Sequence, residues 1–129
     1  MTFVINPGRL FEQNFEKGGI CIVKERVLAA VGATNNQLVV TAVSGKALMV
    51  ISGIFYSAGI ATTLLFKSAS GGASRYNVQV PVNTAATPNV QLDFNPAGHF
   101  RTVVGEGIYV DNTAAVVANI SISYIEYVV

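Results

Sequence analysis

Charge is the first thing this chain has little of. Asp, Glu, Lys and Arg make up 12% of its 129 residues, about half the quarter usual in globular domains. The 8 basic and 7 acidic residues leave a formal charge of +1. That is no long-range field for steering a polyanion, so nucleic-acid binding is not expected. Tryptophan is absent, and there is one cysteine and one histidine. Cys21 cannot close an intrachain disulfide or complete a structural zinc site, and in the apolar run Ile20-Cys21-Ile22-Val23 it reads as a thiol filling core space. His99 follows the turn Asn95-Pro96-Ala97-Gly98 and precedes Phe100 and Arg101. It reads as a surface or interface residue rather than a general base.

The seven carboxylates, Glu12, Glu16, Glu25, Asp93, Glu106, Asp111 and Glu126, are scattered among turns and strand positions. Asp93 with Glu106 or Asp111 is the one pairing that could resemble a glycosidase dyad across loops, but the chain has no tryptophan platform to hold a sugar beside it. Gly71-Gly72 and Gly105-Glu106-Gly107 lack the following helix that a phosphate site requires and read as turns. Asp111-Asn112-Thr113 also reads as a turn, because three loop oxygens fall short of a calcium shell. No cofactor, no metal and no enzymatic activity are expected.

Against these scarcities stands a hydrophobic content of 51%, high for a chain of one-domain length. A protein with so little charge either spans a membrane or has much of its surface covered by copies of itself or by a partner. Residues 47–66 carry no charge and are flanked by Lys46 and Lys67, which on length alone would suffice for a membrane helix. The run also contains Ser52, Gly53, Ser57, Gly59, Thr62 and Thr63, and its centre, Tyr56-Ser57-Ala58-Gly59, is a better turn than helix interior. Two strands joined by a tight loop are the simpler reading, with no membrane partner. The N-terminus has no basic region, long apolar stretch or small-residue cleavage site, so no secretory signal is expected.

Alternation confirms a β reading elsewhere. Tyr76, Val78, Val80 and Val82 alternate with polar neighbours and Pro81, as do Val90, Leu92 and Phe94. Val116, Ala118, Ile120, Ile122 and Tyr124 alternate with Asn119, Ser121 and Ser123, a register that a one-residue slip would turn inside out. Residues 19–31, 37–43, 47–56 and 60–66 are more continuously apolar, which predicts burial on both faces. Turn residues recur about every ten positions and no amphipathic helix stands out. The expected fold is an all-β antiparallel sandwich or jelly roll of about eight strands over residues 19–129. Residues 1–18 combine Phe3, Phe11 and Phe15 with Arg9, Glu12, Glu16 and Lys17. They read as an N-terminal arm that packs along its own domain or onto a neighbour, or as a short helix over 9–17 capping the sandwich.

Two stretches carry a family resemblance. Val103-Val104-Gly105-Glu106-Gly107-Ile108-Tyr109-Val110-Asp111-Asn112-Thr113, with the final strand ending Ser123-Tyr124-Ile125-Glu126-Tyr127, is similar to the ending of small β-sandwich proteins of tailed-bacteriophage structural modules. Ile51-Ser52-Gly53-Ile54-Phe55-Tyr56 and Ala61-Thr62-Thr63-Leu64-Leu65-Phe66-Lys67 resemble the same group. The resemblance implies a capsid decoration, or cement, protein on the outside of the virion, forming a homotrimer and bridging units of the major capsid protein. Candidate interface residues are then Phe3, Arg9, Phe11, Phe15, His99, Phe100 and Arg101. A receptor- or glycan-binding head of a tail or fibre is the alternative, with Tyr76, His99, Phe100 and Tyr109 as the residues that could cluster at one end.

Overall fold

The computed structural model describes residues 23–31, 34–57, 59–82 and 89–128. Among them there is no helix, and nine strands form two antiparallel sheets packed face to face. The strands are β1 (Lys24–Val31), β2 (Thr34–Val40), β3 (Ala47–Ser57), β4 (Thr62–Lys67), β5 (Ser74–Val80), β6 (Val90–Leu92), β7 (Phe100–Arg101), β8 (Ile108–Asn112) and β9 (Ala118–Tyr127). One sheet has the order β1-β9-β3-β6, with β7 also paired to β3, and the other has the order β2-β8-β4-β5.

This order is that of a jelly roll. The first strand pairs with the last and the second with the next to last, and the chain crosses between sheets at each step except β4 to β5 and β6 to β7, so it rolls up from both ends. β6 and β7 share one edge position. β6 pairs with β3 at Gly53–Phe55 and β7 at Met49 and Val50. Between them the chain stays tied to β3, with Asn95 N donating to Ile51 O (2.8 Å) and His99 N to Val50 O (2.8 Å). Eight strand positions are therefore filled by nine segments.

The inner faces meet in a core of Leu48, Val50, Phe55, Leu64, Phe66, Ile108, Val110, Ile120 and Ile122, all at most 1% exposed. Its centre is an aromatic chain. Phe55 lies 5.7 Å from Phe66 between centroids, Phe66 lies 5.2 Å from Phe100, and Phe100 is stacked on Tyr76 at 5.3 Å. Offset and tilted contacts of this kind each add about 1 kcal/mol to the burial of the rings.

The uncharged run 47–66 is split between β3 and β4, which lie in different sheets. No helix among the described residues is long and apolar enough to cross a membrane. β3 is the strand that fits the expectation of two buried faces, with Ala47 to Ile51 buried without a break. Its core side faces the other sheet. Its outer side, Ala47, Met49 and Ile51, forms a second cluster with Ile125 and Tyr127, and the 95–99 excursion closes over part of it. Gly98, at φ +82°, sits so close to Met49 that a Cβ there would overlap the thioether.

Two other continuous runs behave differently. β4 alternates buried and half-buried residues. β1 is exposed from Lys24 to Val27, with Val27 62% open, because it is the edge strand and has a neighbour on one side only. Alternation in β9 is as expected, with Ala118, Ile120, Ile122 and Tyr124 inward. Alternation after β6 fails at Phe94, which is 61% exposed. Asp111 and Asn112 are not turn residues: they end β8 and are buried. The proposed arm, residues 1–18, and Cys21 lie outside the described residues.

Candidate functional site

The strand directions collect four connections at one end of the sandwich. Val31 pairs with Ala118, Ser57 with Ala118, Thr62 with Val80 and Thr34 with Asn112, so the ends of these strands are level. In the sequence, the stretches that join these strand ends, 32–33, 58–61, 81–89 and 113–117, contain no Asp, Glu, Lys, Arg or His; the structure describes 59–61, 81–82, 89 and 113–117 of them. Described apolar residues here stand in solvent: Ile60 is 52% exposed, Val117 42% and Val82 39%. Beside them is a depression of about 450 Å³ lined by Ala61, Thr62, Thr63, Gln79, Pro81 and Thr113.

Uncharged hydrogen bonds hold this end in shape. Ser57 Oγ donates to Ile60 O (2.5 Å) across the β3–β4 link. Thr62 Oγ1 donates to Asn112 Oδ1 (2.5 Å), and Asn112 Nδ2 donates to Val116 O (2.7 Å). Thr113 N and Oγ1 both donate to Thr63 O, at 3.2 and 3.0 Å, and Ala114 N donates to Thr62 Oγ1 (3.2 Å). Among the described residues, the β3–β4 link and the 113–116 segment are thus held in place before they meet anything, which lowers the entropy cost of association. Burying it desolvates no ion, and interface centres are depleted in charge for that reason.

Charge lies toward the other end and along the strands. Glu126 accepts from Lys24 Nζ (2.8 Å) and lies 3.7 Å from Lys46 Nζ. The Lys24 hydrogen bond, against the opposing effect of burial, holds the Glu126 carboxyl below its ordinary value, helped by the charges of Lys24 and Lys46. Glu106 accepts from Ser68 Oγ (2.5 Å). Val103 and Val104 are also exposed at that end, but next to Glu106 and not far in sequence from Arg101.

The strongest ionic feature is internal. Lys67 Nζ lies 2.6 Å from Asp111 Oδ2, with side chains only 11% and 10% exposed. Asp111 Oδ1 also accepts from Asn36 N (2.6 Å), while Asn36 Oδ1 accepts from Lys67 Nζ (3.2 Å) and Gly71 N (2.6 Å). Asn36 adopts φ 57°, a left-handed conformation that its short amide tolerates. Burial pushes the Asp111 carboxyl up, but the hydrogen bonds from Lys67 and Asn36 and the lysine charge outweigh it and leave the group below the usual carboxylate range. This network ties β2, β4 and β8 together.

The residues singled out from sequence fall in different places. His99 is half-buried, its Nε2 donating to Asp93 O (2.7 Å), its ring edge-on to Tyr76 at 6.2 Å. Phe100 is a core residue, 9% exposed between Phe66 and Tyr76. Tyr76, His99 and Phe100 thus pack against one another, the first two half-buried and Phe100 buried. Arg101 is exposed on β7, its carbonyl accepting from Arg75. Phe3, Arg9, Phe11 and Phe15 lie outside the described residues. Asp93 follows β6 of one sheet and Asp111 lies on β8 of the other, and they do not form a pair. Among the described residues no three His, Cys, Asp or Glu side chains are grouped to hold a metal.

Sequence reading missed Ile60, Val82 and Val117. Their signal is the lack of charge in the links that carry them, but those links look unrelated until the strand order brings them to one end. No protein family, no curated protein and no solved structure matches this chain.

Proposed function

We propose that the protein is a structural component of a tailed-phage virion: a decoration, or cement, protein that forms a homotrimer on the capsid exterior and bridges units of the major capsid protein. The observation that carries this reading is the charge-free end of the jelly roll with Ile60, Val82 and Val117 in solvent. Side chains near a symmetry axis face their own copies, so any charge there meets its like at short range. An uncharged apolar surface is suited to that position. The jelly-roll order supports a capsid setting only as an architecture common in capsids, since fold alone does not carry function. Residues 1–18, with Phe3, Arg9, Phe11 and Phe15, supply the reach toward the shell.

Light scattering tests the assembly step. The purified chain is expected at about three times 13.6 kDa, and Val117→Asp, at an exposed position, is expected to reduce it to the monomer mass with an unchanged melting curve. A wild-type monomer at all concentrations overturns the reading. Co-sedimentation with empty heads then tests the location: a cement protein saturates regular lattice sites, and a chain lacking residues 1–18 occupies fewer of them.

A further inference from the structure

The open half of the outer face of the β1-β9-β3-β6 sheet is a trough of about 330 Å³. Its shape follows from side-chain size. Register places Glu25 opposite Ser123, and Ser123 opposite Ser52; Asp93 follows Leu92, the partner of Gly53, and lines the same trough. Short serines in the two central strands leave a depression between the Glu25 carboxylate on one edge strand and the Asp93 carboxylate just past the end of the other. Three strand spacings separate those edges, roughly 14 Å. The neighbouring row is less polar: Ser121 lies between Val27 and Ile54, and Ile54 pairs with Gln91. Ile54 is 46% exposed, and Phe94, at the margin, is 61% exposed.

We infer that this trough binds a neutral oligosaccharide. Carboxylates at its ends accept strong, charge-assisted hydrogen bonds from sugar hydroxyls. The serine hydroxyls and the Gln91 amide both donate and accept, as a polyol requires. Phe94 and Ile54 offer apolar surface to the C–H faces of a pyranose, with a phenyl ring in the place that tryptophan often takes. The described lining contains Glu25 and Asp93 and no Lys, Arg or His, so anionic saccharides are repelled. A surface trough whose lining reaches across roughly three strand spacings, about 14 Å, suits a chain of sugars better than one small molecule. The site lies on the flat of one sheet, away from the charge-free end, so trimer formation and saccharide binding are separable.

Amide NMR spectra of the full chain, titrated with maltotriose, cellotriose, mannotriose and the anionic trigalacturonate, test the inference. At least one neutral trisaccharide is expected to shift Ser52, Gln91, Ser121 and Ser123, and trigalacturonate is not. Asp93→Ala and Phe94→Ala are each expected to weaken binding tenfold or more, while Val104→Ala at the far end leaves it unchanged. If Asp93→Ala lowers the melting temperature, Gln91→Ala, also exposed, replaces it as the probe. No shift with any neutral sugar, shifts confined to another surface, equal binding of trigalacturonate, or affinity indifferent to the trough substitutions each overturn the inference.

Discussion

Asp111 shows how one residue ties several segments of this fold together. It accepts from Lys67 on β4 and from the Asn36 backbone on β2 while sitting on β8. Removing one partner of so enclosed a pair strands the other charge, a loss of roughly 3–5 kcal/mol. Asp111→Ala is therefore expected to lower stability by about that amount in urea unfolding, and a double change to Asp111→Leu with Lys67→Met to recover much of it. A loss under about 1 kcal/mol for the single change would contradict the role given to the pair. The pH dependence follows from the direction of the shifts. Asp111 and Glu126 both titrate lower in the folded chain than their ordinary values of 3.8 and 4.5. The unfolded chain therefore takes up protons first as pH falls. Their stabilisation is complete above about pH 5 and drains away below about pH 4. Melting temperature should be flat from about pH 5 to 7 and fall below about 4, with the acid slope reduced in Asp111→Asn. Stability that rises on acidification would refute the assignment.

At the scale of elements, β9 and β3 form the spine of the larger sheet, with register running from Ala47 opposite Tyr127 to Ser57 opposite Ala118. Ile122 is 1% exposed in its inward row. Ile122→Asp puts an unpaired charge into the core and is expected to leave no cooperative melting transition. Ser121→Asp, one position along and facing the other way, is expected to retain it, and similar behaviour of the two would mean the register is wrong. Alternation made β5 and β9 legible in the sequence, because one face is packed and the other is not. The continuous apolar run was misleading for β1, because it predicts a strand buried on both faces that the topology instead puts at an edge. Alternation failed at Phe94 and was silent on the 95–107 segment, where hydrogen bonds to β3 hold an interrupted edge and Gly98 makes room for Met49.

For the whole molecule, the separation of charge from one end sets what association should depend on. If the charge-free end carries the trimer contact, salt has little to screen. The trimer mass is expected to be unchanged between about 50 and 500 mM NaCl and to fall on adding mild denaturant, which weakens apolar burial. Dissociation by salt alone would place the contact at the charged end, around Lys24, Lys46 and Glu126.

Sequence by itself determined the fold class, the alternation of the packed strands, the division of the 47–66 run by Gly59 and its neighbours, and the shortage of charge. These are local matters, set by side-chain period and by residues that break or turn the chain. Tertiary structure alone decided which strand became an edge and that Phe100 stacks inside while Phe94 faces out. It also paired Lys67 with Asp111 across 44 positions and brought to one level the strand ends that uncharged stretches of sequence join. Contacts of that kind depend on strand order, which side-chain periodicity does not encode, because a sheet reads the same locally whichever strand lies beside it.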